Sequence, residues 1–198
     1  MGITSGERPR RGRPRDPDAE PRIRRYAVQL LLERGFDGMT VDDVAEAAGV
    51  GKATIYRRWA SKEELANDAM TELFDIEIPD ADTGSIEGDL RQVYTAALQF
   101  VSTKEGLAWV RLAVSELNRD ERFAVLYRSF LDRRIALTAA TLERARQRGE
   151  PIRAGADPIL MVEWLAGVLI LRALTGEAMP AVTEADHLVG MTMHGIVE

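Results

Sequence analysis

The chain has 198 residues, 45% of them hydrophobic and 29% charged, with no cysteine and two histidines. That length and composition suit a soluble globule able to bury a core unaided, and exclude a disulfide scaffold, a thiolate zinc site and a cysteine nucleophile. The net charge of −6 argues against a nucleic-acid binder until the chain is divided: residues 1–62 carry 13 basic and 9 acidic side chains, a net +4, whereas residues 63–198 carry 13 and 23, a net −10. A basic end facing a polyanion and an acidic body facing water is the division this suggests.

Residues 1–17 are rich in proline, glycine and arginine and lack apolar periodicity, which predicts a disordered basic arm. Its densest run, Arg8-Pro9-Arg10-Arg11-Gly12-Arg13-Pro14-Arg15, is either a solvated tail or a polyanion-binding one. A helix is predicted from near Asp18, with Pro21 in its first turn and Ile23, Ala27, Leu30 and Leu31 on one face. Gly35 is its stop. Thr40 caps the next helix, Asp42 and Asp43 suit the positive end of its dipole, and Val41, Val44, Ala45 and Ala48 form its apolar stripe before Gly49. At about two turns this helix needs neighbours to be stable.

A third short helix is predicted over Lys52–Trp59, with Ile55 and Trp59 facing inward. Ser61 and Glu64 then form a capping box that opens a helix through Leu65, Ala69 and Leu73. After a linker at 79–84, helices are predicted over Ile86–Val101, Glu105–Asn118, Arg122–Arg148, Ile159–Thr175 and Glu184–Ile196. No stretch alternates with period two, so the fold class is all-α with about nine helices. An N-terminal helix-turn-helix domain is followed by a larger helical domain. The expected division is a basic arm over 1–17, a helix-turn-helix domain over 18–62, and a larger helical domain over 63–198.

The helix after the glycine turn carries Lys52, Thr54, Tyr56, Arg57 and Arg58 on its outer face and no acid. Cations neutralise phosphates, and hydroxyls meet phosphates or base edges, so such a face suits a major groove; the plainer alternative is a solvated basic face. The segment Thr40-Val41-Asp42-Asp43-Val44-Ala45-Glu46-Ala47-Ala48-Gly49-Val50, followed by Thr54-Ile55-Tyr56, Trp59 and Ser61-Lys62-Glu63-Glu64-Leu65, resembles the DNA-binding region of TetR-family transcriptional regulators. The resemblance covers roughly residues 18–70. It implies a homodimer whose recognition helices enter successive major grooves of a palindromic operator, about 34–36 Å apart. It also implies that Thr40 donates to a phosphate, that Lys52, Ala53, Thr54 and Tyr56 face DNA, and that Arg57, Arg58 and Lys62 grip the backbone. Gly51 stands where the family often has Ser or Thr, so no side-chain hydroxyl is offered there. Arg58 and Trp59 stand where His and Phe are frequent.

Beside such a domain, Arg11-Gly12-Arg13-Pro14-Arg15 resembles the core of an AT-hook. Arg11, Arg13 and Arg15 are expected in a narrow A·T minor groove, the alternative being a floppy tail that only adds charge.

In the larger half, Ile159–Leu174 is apolar nearly all round and is expected to be buried on more than one face. It contains Glu163 and Arg172 and falls short of the roughly 20 residues of a membrane span. With no signal segment apparent, the expected compartment is the cytoplasm, without membrane association. The family resemblance implies that the last two helices pair with their copies in a homodimer; a core helix of a monomer is the alternative. Phe74, Tyr94, Phe100, Trp109, Tyr127, Phe130 and Trp164 either line an apolar effector cavity or simply pack the core. His187 and His194 lack an acid cluster, so no metal site is expected. No nucleophile–base pair or phosphate loop is legible, so neither enzyme activity nor a cofactor is expected. The sequence thus predicts a ligand-responsive regulator, a repressor in the first instance, with double-stranded DNA and an unknown small-molecule effector as partners. The alternative is an architectural binder of A·T-rich DNA acting through the arm.

Overall fold

A computed structural model describes residues 16–196, so Arg11, Arg13 and Arg15 of the arm lie outside the described residues. The described residues form nine α-helices: α1 Ala19–Gly38, α2 Val41–Ala48, α3 Lys52–Tyr56, α4 Lys62–Glu77, α5 Ile86–Val101, α6 Lys104–Glu116, α7 Glu121–Gln147, α8 Pro158–Thr175 and α9 Ala185–Ile196.

The first three helices and the start of α4 enclose one small core. Ile23, Ala27, Leu30 and Leu31 of α1 bury the predicted stripe against Val44, Ala45 and Ala48 of α2, with Phe36, Met39, Ile55, Trp59 and Leu65 closing the sides. Gly35 leaves helical geometry at φ 71° and ψ 179°, a region essentially reserved for glycine, and this kink turns Phe36 inward. Thr40 caps α2 by accepting from the Asp43 amide at 3.1 Å, and Gly49 ends it in the left-handed conformation at φ 66°. Those two devices fix the angle at which α3 leaves. In α3 the regular helix ends at Tyr56 rather than Trp59, although the Trp59 amide still reaches the Ile55 carbonyl at 3.0 Å. Ser61 caps α4 as expected, accepting from Glu64 at 3.1 Å. In return the Glu64 carboxylate accepts from the Ala60 amide, one residue further back than in a standard capping box.

α4 belongs to both halves. Its first turns bury Leu65, Ala66 and Ala69 beside α1, and its last turns carry Phe74 into the larger domain. There α5 packs on α6, α7 and α9, and α8 lies across α6 and α7. The linker after α4 and the start of α5 are tied to the far end of α7 by ion pairs: Arg144 to Asp80 at 2.9 Å, and Arg148 to Asp82 at 3.3 Å and to Asp89 of α5 at 3.0 Å. Asp89 is fully buried, and Thr83 donates to it from both its amide and its hydroxyl. Burial pushes the Asp89 carboxyl upward, but these donors and Arg148 outweigh it and hold the group below its ordinary range.

Helix α8 corrects one expectation. Its apolar surface is not buried on several faces within the chain: Met161 and Leu169 are buried, while Ile159, Leu160, Trp164, Leu171 and Leu174 are exposed. By length and composition alone its 18 residues suffice to cross a membrane, against the expectation that the segment is too short. The exposed residues repeat with coiled-coil spacing, Leu160, Trp164, Gly167, Leu171 and Leu174, as a single stripe.

Candidate nucleic-acid interface and interior cavity

The outer surface of α3 forms a ridge. Gly51, Lys52, Ala53, Tyr56, Arg57 and Arg58 are exposed, Tyr56 to 54%, and Thr54 is half-buried, while Ile55 and Trp59 point into the core. The ridge cations have only loose surface partners: Arg58 lies 3.5 Å from Glu20, and Arg57 donates to the Thr54 hydroxyl at 3.4 Å. Lys52 pairs with Asp42 across an exposed surface. Such pairs are weak in water and exchange readily for phosphates. Thr40 is exposed at the N-terminus of α2, and its hydroxyl still has its own proton to donate.

The ridge is held from behind. The Trp59 indole donates to Asp68 at 2.7 Å, Arg24 donates to the same carboxylate at 2.8 Å, and the Arg24 guanidinium lies 5.6 Å from the Trp59 ring. Partial burial raises the Asp68 carboxyl, but the bonds from Arg24 and Trp59 outweigh it and hold the group low. α1, the turn after α3 and α4 therefore meet at one acceptor, a role that nothing in the spacing of Asp68 announces.

Lys62 has a partner within the chain. Its ammonium donates to the Phe36 carbonyl at 2.8 Å and sits 4.5 Å from the Phe36 ring, so it braces the end of α1 instead of standing free. Arg122 of α7 lies 5.0 Å from the same ring and pairs with Asp37. The larger domain thus grips the smaller one at Phe36 and Asp37.

A cavity of about 130 Å³ lies among α4–α8. Six of the seven expected aromatic residues line it: Phe74, Tyr94, Phe100, Trp109, Tyr127 and Phe130. They also pack on one another, with Phe74 at 5.1 Å from Trp109 and 4.2 Å from Phe130 between ring centroids, so the cavity-wall and core readings coincide. Trp164 is the correction: it stands 41% exposed on the outer stripe of α8 and takes no part in the wall. The apolar residues of α8 surround the whole helix, and helical phase puts 161, 165 and 169 inside and 164 outside. Burial raises the phenols of Tyr94 and Tyr127; Tyr94 shares a hydrogen bond of 3.0 Å with Thr192 of α9.

Arg134 is a site residue that the sequence did not single out. It is the one basic residue in the cavity wall among the described residues, on the same face of α7 as Tyr127, Phe130, Leu131, Thr138 and Thr141. The helical period of that face, with one arginine in it, is the signal that could have found it. Glu163 is exposed, as are His187 and His194.

Residues 23–69 match the family described as bacterial regulatory proteins, tetR family, and residues 80–192 match the tetracyclin repressor-like C-terminal domain. The uncharacterized HTH-type transcriptional regulator YdeS of Bacillus subtilis is 35% identical over 170 residues, 85% of each chain. The uncharacterized HTH-type transcriptional regulator Rv1556 of Mycobacterium tuberculosis is 33% identical over 183 residues, 89% of each chain. The crystal structure of the TetR family transcription regulator SCO0332 is similar at a TM-score of 0.69 and 27% identity, covering 91% of this chain and 100% of that one.

Proposed function

The chain belongs to the TetR family of transcriptional regulators, and from that premise we propose that it is a homodimeric, ligand-responsive repressor of a palindromic operator. It is a DNA-binding regulator and not an enzyme, as its relatives are. The observation that carries the finer reading is the α3 ridge: Lys52, Tyr56, Arg57 and Arg58 outward, Ile55 and Trp59 inward, on a helix whose exit angle is set by Gly49 and whose back is held by Asp68. Lys52, Ala53, Thr54 and Tyr56 face the bases, while Arg57, Arg58 and Thr40 hold phosphates. Lys62 contributes through Phe36 more than through DNA.

The α8 stripe supports the dimer. Exposed leucines and a tryptophan at heptad spacing, with open space around Gly167, suit a second copy of the same helix packed face to face, with α9 beside it. The cavity supports the effector. It lies beside α4, whose capped end abuts the ridge, so a ligand that alters the Phe74 wall acts on the element that places α3. An effector that moves the dimer from mostly bound to mostly free must prefer the free form by roughly 10⁴-fold, about 5.5 kcal/mol. The arm, with Arg11, Arg13 and Arg15, adds minor-groove contacts beside the operator, and the protein acts in the cytoplasm.

Selection of bound duplexes from a random pool, followed by footprinting, tests this reading. An inverted repeat protected in two halves is the expected result, together with loss of retention in the Lys52→Glu/Arg57→Glu variant. A pool that yields only A·T-rich duplexes without symmetry points instead to the architectural alternative.

A further inference from the structure

Among the described residues, the arginines of α7 and of its C-terminal cap that face the linker and the cavity are matched one by one to carboxylates, with a single exception. Arg133 donates to Asp75 from Nε at 2.8 Å and also from Nη2; Arg144 holds Asp80; Arg148 holds Asp89. Arg134 hydrogen-bonds no acid. Its Nη1 donates to the Ile78 carbonyl at 2.6 Å, while Nε and Nη2 are buried without an acceptor. The nearest carboxylate oxygen, on Asp75, is 3.7 Å from Nη2 and is already taken by Arg133. The other two acids in the wall, Asp80 and Asp89, are held by Arg144 and Arg148.

The Arg134 side chain is 11% exposed. A buried cation lacking acceptors is costly, and it persists where something else supplies them. The two empty donors are also the right two. Nε–H and Nη2–H point along one edge of the guanidinium, the fork that receives both oxygens of a single carboxylate. Arg133, the preceding residue, shows this mode with Asp75. Apart from Asp80, Asp89 and the hydroxyls of Thr138 and Thr141, the rest of the wall is apolar and aromatic, with Phe74, Trp109, Phe130 and Leu165.

We propose that Arg134 is the anion-binding residue of the cavity, and that the effector is an amphipathic monocarboxylate whose apolar body is about the size of one ring or a short alkyl chain. The carboxylate takes Nε and Nη2, and the body lies among the aromatic rings. The volume sets an upper limit on that body: a cavity of about 150 Å³ accepts benzene, and this one has about 130 Å³. The inference rests on the reading of this cavity as the effector site. Burial lowers the Arg134 pKa, but a guanidinium stays charged at any physiological pH, so the site has no proton switch and selects by charge.

The test is calorimetric titration of the full chain, free of DNA, with benzoate and hexanoate and with their neutral isosteres benzamide and hexanamide. The expected result is that at least one acid binds about tenfold or more tightly than its own amide, the scale of a charge-assisted bidentate pair. Arg134→Met should lose that preference, and Arg134→Lys should keep part of it. Arg134→Met should also melt no lower than wild type without ligand, because it removes an under-satisfied cation, and its melting temperature should not respond to either acid. Two results overturn the proposal. One is equal affinity of wild type for acids and amides, or binding of neither, in protein that retains its selected duplex. The other is a lower melting temperature for Arg134→Met with the acid preference intact, which would make Arg134 a post for the Ile78 carbonyl. Wild type that binds the acids but retains no duplex leaves the anion site standing and refutes the repressor.

Discussion

The cations of α3 and those of α7 carry the same charge into opposite surroundings. On α3 and in the turn after it, Lys52, Arg57 and Arg58 stand in water with exposed partners, so their charge is inexpensive to keep and available to a large polyanion. Along α7 and at its C-terminal cap, Arg133, Arg144 and Arg148 are 45%, 26% and 24% exposed and each meets a carboxylate, whereas Arg134, at 11%, depends on acceptors inside the protein. Arg134 lacks two. Exposure therefore separates two kinds of surface: a ridge whose cations are available for many weak interactions with a polyanion, and a buried fork suited to a single strong one with a small anion.

The largest loss is expected where the ridge is no longer presented twice. Leu171→Glu puts a charge in the middle of the exposed α8 stripe. It should convert the dimer to monomers by sedimentation and weaken operator binding by about a hundredfold or more, since the two ridges then no longer bind as one unit. Deletion of residues 1–15 should weaken operator binding by about tenfold and flatten its salt dependence, because every phosphate that the arm no longer neutralises reduces the slope by about 0.9. An unchanged slope removes the arm from the mechanism.

A smaller effect is expected behind the ridge. Asp68→Ala leaves the Trp59 indole and Arg24 without their shared acceptor. Because part of this carboxylate still meets water, the loss should be about 1–2 kcal/mol by urea unfolding. The same residue has a pH signature. Asp68 and Asp89 are both held below the ordinary aspartate range, so their contribution is complete above the unfolded value of about 3.9. It is lost as pH falls through the lower folded values. Asp68→Ala should accordingly lose less stability than wild type between about pH 4 and pH 2. The smallest effect is at Gly51, which caps α3 with an extended backbone and open space around its missing side chain. Gly51→Ser should raise stability by a few tenths of a kcal/mol, about the difference between these two caps. It should also bind the operator at least as well.

The two regions are not equally legible in the sequence. Thr40, Gly49 and Ser61 act on the chain within four residues of themselves, so their order alone foretells α2, the turn and the start of α4. Lys62 reads as a DNA-facing cation because nothing local shows that the Gly35 kink brings the Phe36 carbonyl under its ammonium. The six aromatic cavity residues are found by type, but type also admits Trp164, which only helical phase removes. Arg134 is hidden because α7 holds six arginines in 27 residues, and Arg133 beside it looks the same in sequence. A rotation of about 100° per residue separates the arginine that pairs with Asp75 from the one that lines the cavity.

The most direct measurement varies the distance between operator half-sites. Two α3 ridges fixed in one rigid dimer must face the same side of the duplex, about one helical turn or a multiple apart. Inserting about five base pairs, half a helical turn, at the centre of the selected operator turns the halves to opposite sides. The account predicts a fall in affinity of about a hundredfold, approaching that of a single half-site. Undiminished affinity for the lengthened operator would mean that the ridges do not act as a spaced pair, and would contradict it.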